Sequence, residues 1–203
     1  MRQQLEAALD GWAAATFDGD EGARMLAPWL ERWREEIGDV RGDDPQFEAW
    51  AEARTDWALV DMGAGQDTID RDPSWGVVSR SWVGMFEVWP TEGAVRVAWV
   101  RDRVGGACGR LAVPIDLRRE PSGPAALWEL RVLVHDGLLV PCRAPVAYPV
   151  ALVKAWPPAA VRPDPSRPSR VLVALRRARL RHARTPRMDP VAAYRAALGE
   201  ARS

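Results

Sequence analysis

The stretch WELRVLVHDGLLVPC, residues 128–142, decides the fold class. Trp128, Leu130, Val132 and Val134 alternate with Glu129, Arg131, Leu133 and His135, the period-two pattern of a half-buried strand. Asp136-Gly137 follows it; such a pair suits a type I′ turn, whose two central positions both need positive φ. With those residues as the turn, His135 pairs with Leu138 and Cys142 falls opposite Arg131. Further turn signals, Pro90-Thr91-Glu92-Gly93, Gly105-Gly106-Ala107 and Pro121-Ser122-Gly123-Pro124, divide residues 77–155 into about six strands. In one of them Val95, Val97 and Trp99 alternate with Arg96, Ala98 and Val100. Connections this short predict an antiparallel meander, because parallel neighbours need crossovers of a dozen residues or more.

Upstream the period changes to that of a helix. Leu5, Ala8, Leu9, Trp12 and Thr16 share one face; so do Met25, Leu26, Trp29, Leu30, Trp33 and Ile37, and then Phe47, Trp50, Trp57 and Ala58. Asp20 is placed to cap the second helix with Glu21 in its first turn, and Asp44-Pro45 reads as a cap with proline at the first helical position. Residues 62–74 read as a polar connection. Downstream, Pro157, Pro158, Pro163, Pro165 and Pro168 make residues 157–168 a stiff linker. Ser169 can cap a helix running to about Ala183, although Val171, Val173 and Leu175 also suit a strand; Asp189-Pro190 opens a last helix with Val191, Tyr194, Ala197 and Leu198 on one side.

The fold class is therefore α+β: N-terminal amphipathic helices packed by their tryptophans on an antiparallel β-meander of about six strands, then a C-terminal helical tail. Residues 1–156 form the core (helices 1–60, sheet 77–155), 157–168 the Pro-rich linker and 169–203 the basic tail. A curved sheet cupping helices, as in folds resembling nuclear transport factor 2, would enclose a conical pocket; element order alone supports that analogy, and it carries no function.

The 203 residues balance 28 basic against 28 acidic side chains, and 47% of them are hydrophobic, which excludes a disordered chain. The balance conceals a division. Residues 1–72 hold 18 Asp and Glu against 7 Arg, and residues 73–203 hold 21 basic against 10 acidic residues. Asymmetry of this kind points to self-association, an acidic partner or nucleic acid. Lys154 is the sole lysine and asparagine is absent, the mark of a GC-rich genome, so arginine abundance alone is weak evidence. Eleven tryptophans are stronger evidence, for a core or an interface.

Glu6 and Asp10 interrupt the apolar positions near the start, and the uncharged stretch Ala144–Val153 is ten residues with two prolines, far short of the roughly 20 that a membrane helix needs. A cytoplasmic protein away from membranes is expected, with Cys108 and Cys142 reduced.

Candidate sites follow from charge and aromatics. Arg176, Arg177, Arg179, Arg181, Arg184 and Arg187 form the densest basic run, a surface for phosphates or an acidic partner; the competing readings are a solvated helix or one docked on the acidic N-terminal half. Trp82, Trp99 and Trp128 are candidates to line a pocket between helices and sheet, and with Trp89, Arg80, Arg96, Arg101 and Arg131 they also suit a stacking platform for single strands. The alternation assigns Trp99 and Trp128 to covered faces, which favours core packing.

Other patterns carry less. Asp18-Gly19-Asp20 lacks the Glu and Gly of a calcium loop, Gly63-Ala64-Gly65 lacks the context of a phosphate loop, and Asp67, Asp70 and Asp72 belong to an acidic loop. His135 and Cys142 sit roughly 13 Å apart along the hairpin, too far for a nucleophile and its base. No catalytic residue, metal ligand or cofactor is implied. The leading expectation is a non-enzymatic binding or assembly protein that pairs its acidic half and Arg-rich tail with itself or an acidic protein. The alternatives are a nucleic-acid-binding protein and an enzyme or small-ligand binder with a Trp-lined pocket.

Overall fold

A computed structural model describes residues 1–44, 46–90, 97–113, 124, 126–156, 170–185 and 187–201. It is an α+β fold with helices at both ends of a six-stranded mixed sheet. Helix α1 (Arg2–Phe17) leads into α2 (Gly19–Glu36) through Asp18, whose extended backbone makes it the cap in place of Asp20. Asp20 and Glu21 lie instead in the first turn, where the helix dipole favours acids. Helix α3 (Phe47–Asp56) begins after Gln46, which is left-handed at φ 62°, and not at Asp44. Pro45 lies outside the described residues. Asp44 accepts the Arg41 backbone N–H at 2.7 Å and turns its carboxylate toward Arg184. A π turn, Trp57–Asp61, continues α3. The expected polar connection contains a short helix, α4 (Gln66–Arg71), and a 3-10 turn capped by Asp72.

The strands are β1 (Trp82–Pro90), β2 (Val97–Asp102), β3 (Cys108–Ala112), β4 (Ala126–His135), β5 (Leu138–Pro141) and β6 (Val146–Tyr148). The β4–β5 hairpin has the expected register. His135 is opposite Leu138, the Cys142 N–H donates to the Arg131 carbonyl at 2.8 Å, and Asp136 and Gly137 both have positive φ. The meander does not hold beyond it. β1 pairs with both β2 and β4, and β3 meets β5 in parallel, so β1-β2-β3-β5-β4 closes into a ring with β6 added to β4. The reason is the ten-residue length of β4. One of its edges pairs with β1, and the other takes β6 and then β5 in succession. Closure leaves few unpaired strand edges.

Phe86, Val88, Ala98, Val100, Leu111, Trp128, Leu130, Val132 and Leu139 fill the ring. Gly84 holds the next inward position of β1 after Phe86 and Val88, where a Cβ would lie 2.7 Å from the buried Asp102 carboxylate. Two helical layers cover part of the outside. Met85, Leu127, Tyr148 and Leu152 pack under Leu172 and Leu175 of α5 (Arg170–Arg184) and Tyr194 and Leu198 of α6 (Pro190–Glu200). Leu133 and Cys142 pack under Leu9 and Trp12 of α1. Trp33, Trp50 and Trp57 cluster with Leu180 between the layers, not against the sheet as expected. The Asp189 carboxylate accepts the Val191 N–H with Pro190 at the first helical position, as the sequence predicts.

The linker 157–168 and the Ser169 cap lie outside the described residues. The helices beyond them share their core with the sheet, so the segment that reads as a separate tail is a layer of the fold. Its apolar stripe is masked in sequence by arginines on the same turns. No described helix is long and apolar enough to cross a membrane. Leu175→Ala in α5 and Leu127→Ala in β4 are each expected to lower stability by about 2–5 kcal/mol. Both should act within one cooperative transition, followed by urea melts read by far-UV and near-UV circular dichroism; an independent tail would separate the two probes for Leu175→Ala.

Candidate functional site

Between the two helical layers the outer face of β4 carries charge. Glu129 and Arg131 alternate with the apolar interior residues, a pattern that reads as solvent-facing, yet both are buried. Glu129 accepts from Arg176 Nε of α5 at 2.8 Å and from the Tyr148 hydroxyl at 3.0 Å. Arg131 donates from Nη2 to Asp61 at 2.8 Å, and its Nε lies 3.6 Å from Asp56. Arg143 donates twice to Asp56, at 2.9 and 2.8 Å, and once to Asp10 at 2.7 Å. Burial works against the Arg143 charge, but the Asp56 carboxylate outweighs it and holds the guanidinium more firmly protonated. Burial, reinforced by Glu129, keeps Tyr148 protonated well above its ordinary range.

Asp56, Glu129, Arg131, Arg143 and Arg176 line a cleft of about 470 Å³ between α3, β4, α5 and the segment after β5. Gln46, Ala49, Glu52, Ala53 and Asp56 form one wall, Val83, Glu129 and Arg131 the floor, and residues 143–147 with Arg176 and Arg179 the other side. Burial raises the Glu52 carboxyl above its usual range, against the pull of Arg143.

The arginines of α5 are divided. Arg176 joins Glu129 and lies 5.3 Å from the Trp33 ring centroid. Arg177 donates to the Glu36 carbonyl. Arg179 lies over Trp50, 4.3 Å from the ring centroid, and donates to Gln46 Oε1 at 2.6 Å. Arg184 engages Asp44 and the Asp39 carbonyl. Arg181 and Arg187 remain exposed. The run that reads as a free basic arm therefore turns most of its charge toward the N-terminal layer.

The three tryptophans expected around one pocket are not brought together. Trp128 lies inside the barrel with Trp82 packed at its end. Trp99 faces out and is 54% exposed, because Ala98 and Val100, its neighbours along β2, take the inward positions. Its cross-strand partners are Trp89 on β1 and Arg110 on β3, with Arg101 opposite Cys108 one pair further along. Arg101, Cys108 and Arg110 are exposed on backbone positions that share this outer face, where Glu87 is buried and lies 3.3 Å from Arg103. No helical layer named above packs on Trp99.

Among the described residues no group of three or more His, Cys, Asp and Glu side chains is placed to hold a metal ion. Burial pushes the Cys142 thiol up to about 11 despite Arg131 and Arg143 nearby. No known protein family, curated protein or solved structure matches the chain.

Two outcomes follow for these residues. Cys108 is exposed and Cys142 buried, so a thiol reagent should modify one cysteine in the native protein and two in denaturant. Asp44 is held at about 2, below its ordinary 3.8, chiefly by the Arg184 hydrogen bond. A depressed carboxyl stabilises the fold fully above its unfolded pKa and loses that contribution as pH falls through 4 toward 2. Arg184→Ala should reduce stability at neutral pH by about 1–3 kcal/mol, through loss of hydrogen bonds to a charged carboxylate that then keeps only the Arg41 N–H. The variant should also flatten the acid limb of the stability curve over that window, measured by urea melts at successive pH values.

Proposed function

We propose that the protein is a non-enzymatic, cytoplasmic protein that binds single-stranded nucleic acid on the outer face of β1, β2 and β3. The observation that carries this is Trp99, more than half exposed in mid-strand, with Trp89 and Arg110 as its cross-strand neighbours. An exposed indole on a sheet offers a base a stacking surface, and arginines beside it neutralise the phosphates that run past. Arg101 and Arg110 supply that charge, and Glu87 is withdrawn toward Arg103. Five-stranded barrels bind oligonucleotides on the outer face of their second and third strands in other proteins, a likeness of architecture and not of sequence.

The basic run on α5 is not the surface proposed, because Arg176, Arg177 and Arg184 are engaged within the chain and Arg179 lines the cleft beside α3, away from Trp99. The same contacts argue against assembly through opposite charges of the two ends, since those charges largely meet inside one molecule.

Fluorescence anisotropy with labelled oligothymidine and oligouridine of about 12 nucleotides, against the matching duplex, tests the reading. Single strands should bind more tightly than the duplex and release as salt rises. Trp99→Ala should weaken binding by roughly 1–3 kcal/mol, and Arg110→Ala should lower the salt slope by about 0.7. No binding at low salt, a preference for duplex, or an unchanged Trp99→Ala affinity overturns the proposal.

A further inference from the structure

The cleft between α3, β4 and α5 plays no part in nucleic-acid binding at Trp99, and its charges are unequally satisfied. Four arginines line it against three carboxylates, Glu52, Asp56 and Glu129. Arg131, Arg143 and Arg176 each make an ion pair with Asp10, Asp56, Asp61 or Glu129. Arg179 differs: its contacts among the described residues are the neutral amide of Gln46 and the ring of Trp50. We propose that the cleft binds a small organic oxyanion, a carboxylate or phosphate monoester carried on an apolar body, with Arg179 as its anchoring cation.

The arrangement is prepared for that ligand. The Arg179 guanidinium carbon packs over the Trp50 ring and the Gln46 hydrogen bond engages Nη2, so the group is held on two sides with its other N–H donors left for a ligand. A planar guanidinium held in place loses less freedom on meeting an oxyanion, and its fork matches a carboxylate or phosphate. Gln46 itself adopts φ 62°, a left-handed conformation that costs free energy in a residue with a side chain, and such strain gathers at ligand sites. The rest of the lining is apolar and small: Ala49, Ala53, Val83 and the Ala144–Ala147 segment. Those walls suit a hydrocarbon body, and about 470 Å³ lies within the range of small-molecule pockets.

Titration calorimetry on the full chain with benzoate, phenyl phosphate, inorganic phosphate and neutral benzyl alcohol tests this. Benzoate or phenyl phosphate should bind, inorganic phosphate should bind at least tenfold more weakly, and benzyl alcohol should give no heat. Arg179→Gln should weaken the organic anion by ~10-fold or more. Arg181→Gln, exposed on the same helix, should leave it unchanged, as should Trp99→Ala, which keeps this site separate from the nucleic-acid face. Circular dichroism confirms that each variant is folded. The proposal is overturned by absence of binding to both organic anions, by equal binding of inorganic phosphate, or by an unchanged affinity in folded Arg179→Gln. An equal loss in Arg181→Gln would show general charge attraction and would overturn it too.

Discussion

Glu129 and Arg131, two residues apart on the outward face of β4, fasten the molecule together. Glu129 takes Arg176 from the C-terminal layer, and Arg131 takes Asp56 and Asp61 from the N-terminal one. All but Asp61 are buried. Two charges removed from water are tolerated only with good geometry and further hydrogen bonds, and stripping one partner from such a pair costs about 3–5 kcal/mol. The Tyr148 hydroxyl on Glu129 and the Ser81 hydroxyl near Arg131 supply those further bonds. A hydrophobic pair would hold the layers as strongly, yet it would accept many orientations. The charge pairs join each layer to fixed points on one strand.

That constraint divides the barrel surface. The side of β4, β1 and β6 lies under helices, and where the two layers meet over the charged row they leave a cleft lined by its ion pairs. The side of β2 and β3 carries Trp99 and arginines into solvent. An exposed indole is the informative exception to burial of large apolar groups, and a buried carboxylate is the exception on the other side. The exposed Trp99 leaves apolar surface in water on one side, and on the other Arg179 stands beside the buried ion pairs with a neutral amide and a ring as its partners.

Much of the architecture was legible. Helical periodicity placed the N-terminal helices, Asp189-Pro190 placed the last one, and Asp136-Gly137 set the β4–β5 register to the residue. Ring closure was not legible, because pairing of β4 with β1 joins residues as far apart as Trp82 and Val132 and no turn chemistry records it. The face of Trp99 was misread for a related reason. Val97, Ala98, Trp99 and Val100 are all apolar, so alternation cannot say which parity faces inward, and the narrow interior of a closed ring took Ala98 and Val100. The cleft is not legible in the sequence because Glu129 and Arg131 obey the polar half of a strand pattern, and only a second layer on that face turns them into buried residues.

The sequence by itself determined the element types, most of their limits, the compartment-neutral composition and the separation of acidic and basic halves, because these depend on local propensity and on counting. Tertiary structure decided what the charges do. Arg176 and Arg184 are 47 and 140 positions from Glu129 and Asp44, and no local rule pairs residues at such distances. Whether an arginine is a free surface cation or a buried fastener depends on what packs against it, and that is settled only when the chain closes its ring and lays both helical layers upon it.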